Sequence, residues 1–281
     1  MIKRKTKVRR KGCQLSLKLV HKAARAVQYF LDQAYAFSVG ERTLAEFALF
    51  KGKEVDDALR AEIEAFEASA QARDLAAKYL SYQPRTEKEI TDYLIKREVA
   101  PAAAQKATKE LKDLGYLDDR VYAQLFVKNN LQVGNSGPKG VSRDLAKKGV
   151  DPVIIDEAIS EVDQEAWLEV GKRLVKSLMN QQGKIANREV VTKMKVKLVS
   201  HGFTSDLAEA IVQDFDLASQ DAQQEALAKQ GIKAYKRFRR YDEATRRQKM
   251  RQYLYSHGFS GDEITAFLNG EIVPLEELEE Y

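Results

Sequence analysis

The sequence predicts a mainly α-helical protein built from tandem three-helix repeats that form an elongated, curved array, with a small β-hairpin region at the N-terminus. The first observation is a six-residue phrase that returns every 51 to 56 residues along the 281-residue chain. The phrase reads LIKREV from residue 94, LAKKGV from 145, LVSHGF from 198 and LYSHGF from 254. The second observation is that apolar residues at helical spacing follow the phrase, and the third is an alternating apolar pattern near the N-terminus. A period of this length is typical of stacked units, so function is expected on an extended surface rather than in a pocket.

The N-terminal region is predicted to contain a short β-hairpin over residues 26–39. Val27, Tyr29 and Leu31 alternate with other residues, and a second alternation runs from Tyr35 to Val39. The turn between them lacks the glycine that is usual in hairpins. A third, very basic strand is predicted over residues 2–10. Helices over residues 41–50 and 55–68 are expected to connect this region to the repeats.

Each phrase is predicted to end one helix and begin the next. Gly149, Gly202 and Gly258 stand where a helix C-terminus needs a left-handed backbone, which glycine adopts without a Cβ clash. Glu98 stands at the same place in the first repeat, so the cap there is expected to differ. Helix start signals are also present, with Asp151 before a proline and two capping boxes, Thr86 with Glu89 and Ser260 with Glu263.

Three helices are expected in every repeat. The first helices are predicted over residues 71–80, 119–131, 164–179 and 223–240, and the phrase joins the second helix to the third. In the third repeat the stripe Phe203, Leu207, Ile211 and Phe215 is expected to be core, because a fifty-residue unit buries little on its own and stacked units share apolar faces. The predicted divisions are 1–68 (basic arm, hairpin and linking helices), repeats 69–116, 117–162, 163–216 and 217–270, and an acidic tail 271–281.

The charge of the chain is unevenly distributed. The formal net charge is +5, but residues 1–31 contain ten Lys or Arg and no acid. Residues 231–251 contain nine basic residues against Asp242 and Glu243, whereas residues 252–281 contain seven acids and no Lys or Arg. This polarity suits a protein that meets a polyanion with some surfaces and another protein with others.

The basic segment 231–251 is interleaved with Tyr235, Phe238 and Tyr241. These aromatic residues could stack on the bases of a single strand, but their helical spacing favours packing on the core. For the charges we favour contact with phosphates, since nine against two exceeds what solubility needs. The basic arm is equally compatible with a solvated edge strand and with polyanion contact. The candidate contact residues are Lys5, Lys7, Arg9, Arg10, Arg85, Lys139, Lys147, Lys236, Arg237, Arg239, Arg240, Arg246 and Arg247.

Catalytic, metal and cofactor sites are not predicted. The chain has neither a P-loop nor a dinucleotide-binding glycine motif, and the glycine-rich residues 134–140 are interpreted as a connection between helices rather than a phosphate cradle. His201 and His257 occupy equivalent repeat positions, where interaction with the helix dipole explains them better than metal binding. Asp118 is interpreted as a helix N-cap rather than an acid or base.

The sequence also favours a reducing, aqueous compartment. Cys13 is the only cysteine, so no internal disulfide can form. The basic start is not followed by the apolar stretch of a signal peptide, and the chain has no run of eighteen apolar residues. A cytoplasmic protein without a membrane partner is therefore expected.

Several phrases, in order, resemble the RecX family of bacterial regulators of the RecA recombinase. They are RTEKEITDYL at residues 85–94, LKDLGYLDD at 111–119 with Tyr122, Ala123 and Phe126, and GPKG at 137–140 leading to Leu145 and Gly149. AYAF at 34–37 followed by KGKE at 51–54 resembles the N-terminal region of the longer members. Two features depart from the family pattern: the hairpin turn without glycine, and residues 13–25, which look inserted.

The resemblance implies tandem three-helix repeats and no catalytic residues. It implies a regulator that binds the RecA nucleoprotein filament along its helical groove and mostly inhibits the recombinase and ATPase activity of RecA in DNA recombination, DNA repair and the SOS response. The expected partners are the RecA filament and single-stranded DNA, with double-stranded DNA as a further candidate, and the expected state is a monomer. Two alternatives stay open, a DNA-binding module that acts without RecA and an α-solenoid scaffold that docks through its acidic tail.

Overall fold

A four-stranded antiparallel sheet opens the fold. The structure, a computed structural model, describes residues 13–18, 26–31, 34–216 and 219–274. The strands are β1 Cys13–Lys18, β2 Ala26–Leu31, β3 Ala34–Gly40 and β4 Glu54–Val55, in the order β3-β2-β1-β4. The β2–β3 pairing confirms the predicted hairpin, in which Tyr29 lies opposite Phe37.

Strand β1 changes the interpretation of the N-terminal region. It pairs with β2 on one side and β4 on the other, so part of the segment that looked inserted forms an interior strand. The predicted basic strand over residues 2–10 lies outside the described residues. Tyr29 is fully buried and stacks on Phe37 with ring centroids 5.4 Å apart, which forms a small core with Val39 and Ile63.

Helices make up the rest of the described chain. They are α1 Glu41–Glu46, α2 Asp57–Leu80, α3 Glu87–Lys96, α4 Pro101–Asp113, α5 Asp119–Val133, α6 Pro138–Lys147, α7 Pro152–Ser160, α8 Gln164–Val175, α9 Asn187–Ser200, α10 Ser205–Gln213, α11 Gln220–Phe238, α12 Glu243–Ser256 and α13 Gly261–Leu268. A 3₁₀ helix, Lys176–Gln181, follows α8. The two capping boxes are confirmed, at Thr86 and at Ser260.

Several predicted helix boundaries were wrong. The helix expected over residues 41–50 ends at Glu46, and Ala48 then takes a left-handed backbone with φ 40°. The helices expected over 55–68 and 71–80 are one continuous helix, α2, because no breaker residue separates them. The helix expected over 164–179 is α-helical only to Val175.

The repeating pattern of three helices is confirmed. The phrase ends α3, α6, α9 and α12, and a third helix follows each of them. In the third repeat Phe203 and Ile211 are buried, with Leu207 and Phe215 packed against the same cluster, as the stripe predicted. The described chain consists of two compact units, one with the residues through Tyr122 and Lys148–Val150, the other with residues 123–147 and those from Asp151 onward. The boundaries drawn between repeats stay a prediction.

Neighbouring repeats contact each other through their second helices. The C-terminal end of the second helix in one repeat lies against the N-terminal end of the second helix in the preceding repeat. In the first unit, the Thr86 hydroxyl donates a hydrogen bond to the Lys148 carbonyl, 2.6 Å away. In the second unit, the Gly137 and Lys139 amides donate to the carbonyls of His201 and Gly202, at 2.9 and 3.0 Å. The bonds from Gly137 and Lys139 join backbone groups that have no partner within their own helices, and they place opposite ends of two helix dipoles together.

The last such contact, between the end of α12 and the start of α9, includes a side chain of α11. Gly258 lies against the start of α9, where a Cβ on it would come 3.1 Å from the Glu189 amide nitrogen. Gln223 from α11 accepts a hydrogen bond from the Asn187 amide at 2.9 Å and donates one to the Glu263 carboxylate at 3.0 Å. The start of α9 is therefore capped by residues of the following repeat.

The phrase glycines have two roles. Gly149, Gly202 and Gly258 have φ of 84°, 87° and 88°, which confirms the predicted left-handed caps. At Gly202 a Cβ would also lie 2.1 Å from the Gly140 amide nitrogen, so the contact between repeats requires the missing side chain. Glu98 takes φ 64° at the equivalent place and is exposed. It belongs to the first repeat, and no other repeat precedes it among the described residues.

Candidate polyanion interface

The basic segment 231–251 forms the end of α11, a turn, and most of α12. Asp242 begins α12 as its N-cap, with its carboxylate accepting a hydrogen bond from the Thr245 amide at 3.0 Å. Hydrogen bonds from the Thr245 side chain and backbone hold the pKa of Asp242 below its ordinary value. One of the two acids in the segment is thus used to begin a helix. We call the nine basic residues here the C-terminal patch: Lys233, Lys236, Arg237, Arg239, Arg240, Arg246, Arg247, Lys249 and Arg251.

The aromatic residues of the segment divide into two groups. Tyr235 and Phe238 pack against the core of the fourth repeat, as predicted, together with Tyr253. Tyr241 does not follow them, because α11 ends at Phe238 and the helical spacing stops there. It lies in the turn with 47% of its side chain exposed, so the prediction that it faces the core was wrong. An exposed ring among cations is suited to stacking on a base.

Cations of the C-terminal patch lie over aromatic rings. The Arg246 guanidinium is 4.9 Å from the Tyr235 ring centroid, and the Lys249 ammonium is 4.7 Å from that of Tyr241. Arg237 is 5.5 Å from the Phe238 ring. These contacts orient the side chains while leaving the charge unneutralised, since a ring face attracts a cation without a proton or counter-charge.

The other predicted residues of this segment are also accessible. Lys236, Arg237, Arg239 and Arg240 are exposed, whereas Arg246 and Arg247 are half-buried. Arg247 donates a long hydrogen bond, 3.4 Å, to the side chain of Asn269. The structure therefore brings six of the predicted contact residues together around one turn. The N-terminal candidates Lys5, Lys7, Arg9 and Arg10 lie outside the described residues.

Arg85 has local partners in the first unit. Its guanidinium lies 4.5 Å from the Tyr79 ring centroid and 3.7 Å from a Glu89 carboxylate oxygen. The Tyr79 ring stacks on Tyr93 at 3.9 Å. Arg85 thus completes a small stack, and any external anion must compete with Glu89 for it.

Lys139 and Lys147 lie on a different helix, α6, and both are exposed. Lys147 lies 3.5 Å from an Asp144 oxygen, the distance of a loose surface pair. Sequence reasoning missed Arg143, which is exposed midway between them. The signal was available, because residues four apart share one face of a helix.

Two observations in the described ranges bear on metal binding and on apolar ligands. No group of three or more His, Cys, Asp or Glu residues among them could hold a metal ion. A groove of about 730 Å³ in the first unit is lined by apolar residues, Ser81, Gln83 and the tyrosines Tyr82 and Tyr116, without a carboxylate or histidine. No helix in the described part of the chain is both long enough and apolar enough to cross a membrane.

The fold and the interface together define a class of protein: a tandem three-helix repeat protein with a concentrated basic surface, suited to macromolecular partners. Comparison with known proteins identifies the family. Models of the first, second and third three-helix domains of RecX match residues 72–111, 118–159 and 221–268. Helices α8 to α10 lie between the second and third of these matches.

Individual relatives agree with these matches. The chain is 64% identical to the regulatory protein RecX of Lactobacillus delbrueckii subsp. bulgaricus, over 90% of this chain and 93% of the relative. It is 36% identical to that of Bacillus licheniformis, over 86% and 93%. A crystal structure of a regulatory protein RecX superposes with a TM-score of 0.62 at 28% identity, covering 72% of this chain and all of that one. The chain belongs to the RecX family of regulatory proteins, as the sequence motifs indicated.

Proposed function

We propose that this chain binds the RecA nucleoprotein filament in the cytoplasm and mostly inhibits the ATPase and recombinase activity of RecA during DNA recombination and repair. Membership in a family of regulatory proteins carries the proposal. The C-terminal patch supports it, because a filament presents DNA phosphates together with protein. In this proposal the chain acts as a monomer and catalyses no reaction. Each predicted repeat is one of the units that contact the filament.

In this proposal, RecA is inhibited because the bound chain occupies a surface of the filament. A row of repeats laid along the filament contacts several RecA subunits at once, so one bound chain hinders changes in more than one of them. The cations of the C-terminal patch anchor the chain on DNA phosphates, and each contact releases a counterion. Inhibition should therefore weaken as salt concentration rises.

The decisive experiment is ATP hydrolysis by RecA on single-stranded DNA while this protein is titrated. We expect suppression at well below one molecule per RecA. The variant R237Q/R239Q/R240Q should need a higher concentration for the same suppression, and the variant K128Q/K176Q/K184Q, with the same net charge, should match the parent. Hydrolysis that is unaffected at equimolar protein contradicts the proposal.

A second candidate is a DNA-binding module that acts without RecA. The excess of cations over acids in residues 231–251 favours it, since such a surface binds phosphates by itself. This candidate predicts tight, salt-sensitive binding to naked DNA together with unchanged RecA hydrolysis. A third, a scaffold docking through residues 271–281, predicts neither effect.

A further inference from the structure

Charge in the second compact unit is separated according to helix position. The second helices of its repeats, α6, α9 and α12, carry three, four and four basic residues, with one acid each. The third helices, α7, α10 and α13, carry no Lys or Arg and two acids each. The two helix positions therefore carry opposite charge, and they are expected to face different partners.

The second helices also follow one another in space within this unit. The end of α9 is hydrogen-bonded to the start of α6 through the Gly137 amide and the His201 carbonyl. The end of α12 lies against the start of α9, where a Cβ on Gly258 would be 3.5 Å from the Arg188 Cβ. The three basic helices thus form a continuous row, joined by backbone hydrogen bonds between α9 and α6 and by close packing of Gly258 between α12 and α9.

Several cations of this row are available to a ligand. Lys193 pairs with Glu189, Lys195 with Glu209, and Lys197 donates to the Leu174 carbonyl, so these serve the fold. By contrast Lys139, Arg143, Arg188 and Arg251 are exposed, and none of them forms an ion pair with a carboxylate in the described part of the chain. On α6, residues 139, 143 and 147 recur every four residues, about 6 Å apart along the helix.

The connection between second and third helices has the form of a helix-turn-helix motif. Four residues, including the phrase glycine, join α6 to α7, α9 to α10 and α12 to α13. In DNA-binding proteins with this motif the later helix enters the major groove. Here the only charged residues of the later helices are acids, such as Asp156 and Asp206, whose carboxylates are repelled by phosphates. The usual docking mode is therefore unfavourable for these repeats.

We propose that the row α6, α9 and α12 binds the phosphate backbone of a nucleic acid, and that the third helices take no part in this contact. The binding extends the C-terminal patch across the preceding two repeats and is independent of base sequence. The inference rests on the proposed function in one respect, because the DNA of the filament is the expected ligand. It would make three consecutive repeats a single phosphate-binding surface.

The test uses the full chain and labelled DNA without RecA. Fluorescence anisotropy with a single-stranded oligonucleotide is measured at several salt concentrations for K139Q/R143Q/R188Q and for the control K128Q/K176Q/K184Q. Both variants lose three exposed cations from the same unit. We expect the row variant to bind roughly thirtyfold more weakly, with a salt slope shallower by about 2, since each single-strand phosphate contact contributes about 0.7. The control should stay within about threefold of the parent.

Equal losses in the two variants would overturn the inference, because net charge alone would then explain binding. A second comparison, D156N/D206N/D262N, removes one exposed acid from each third helix. It should leave the salt slope unchanged, and a steeper slope would instead place DNA on the third helices. These assays lack RecA, so their failure leaves the RecA proposal standing, whereas normal DNA binding without suppressed hydrolysis overturns only that proposal.

Discussion

The amide nitrogen of Gly137 lies 2.9 Å from the carbonyl oxygen of His201 and donates a hydrogen bond to it. The end of α9 therefore caps the start of α6. Gly137, the residue before α6, has no side chain that could cap the helix itself. Asp242 differs, since α12 begins with a carboxylate of its own N-cap residue. Repeats in this chain complete one another's helix ends as well as sharing apolar faces.

The first prediction concerns Gly202, at the closest of these contacts. Gly202→Ala should lower the free energy of unfolding by about 3 kcal/mol or more, because a Cβ would collide with backbone atoms of Gly140 and φ is positive. Gly258→Ala should cost only about 1 kcal/mol, since its nearest contact is 3.1 Å. Urea unfolding followed by the fluorescence of the single tryptophan, the buried Trp167, reports on this unit. Equal costs for the two variants would contradict the steric argument.

The second prediction concerns Glu98, which takes φ 64°. Glu98→Gly should raise the stability of the first unit by about 0.5–1 kcal/mol, because a left-handed backbone is strained for residues with a Cβ. Glu98→Ala keeps the strain and serves as the control. Hydrogen exchange of amides in α3 and α4 measures the effect on this unit directly. A glycine variant no more protected than the alanine variant would show that the strain is negligible.

Features of this fold that depend on neighbouring residues could be predicted from sequence, whereas contacts between residues far apart in the chain could not. The capping box of Thr86 and Glu89 and the glycine caps are decided within a few residues, so the pattern contains them. The Thr86 hydroxyl also bonds the carbonyl of Lys148, 62 residues away, and no local pattern shows this. Tyr241 was misassigned because extending the helical spacing assumed that α11 continued beyond Phe238.

The candidate interface was also predictable only in its local part. The excess of cations in residues 231–251 could be counted from the sequence, because residues that are close in the chain are also close in space. The row formed by α6, α9 and α12 depends on contacts between repeats, so sequence reasoning found Lys139 and Lys147 but neither Arg143 nor their relation to Arg188.

The third prediction is a pH dependence of the fourth repeat. Burial alone would raise the pKa of Glu263, but hydrogen bonds from the Ser260 backbone and from the side chains of Gln223 and Ser260 outweigh it and lower the pKa below the ordinary 4.5. A carboxyl with a lowered folded-state pKa stabilises the protein above its unfolded-state pKa, and this contribution is lost as the pH falls through the folded-state pKa.

Stability should therefore decline as the pH falls below about 4.5. Because Gln223 links Glu263 to the Asn187 amide, protonation also weakens the contact with α9. Glu263→Gln should be less stable than the parent at pH 7 and show a smaller loss on acidification. Thermal unfolding between pH 7 and pH 3 measures both, with Glu271→Gln as the control. An unchanged acid sensitivity in Glu263→Gln would contradict this assignment.

The fourth prediction separates two aromatic residues that lie among the cations of the C-terminal patch, Phe238 and Tyr241. Phe238 packs on the core, so Phe238→Ala should lower the free energy of unfolding by about 2 kcal/mol. Tyr241 is exposed in the turn, so Tyr241→Ala should leave stability within about 0.5 kcal/mol. If its ring stacks on a base, the same change should weaken binding of single-stranded DNA by about 1–3 kcal/mol. Tyr241→Phe retains the stacking face and should restore affinity, which anisotropy at fixed salt would measure. Loss of affinity in Tyr241→Phe as well would assign the contact to the hydroxyl group and exclude stacking as its source.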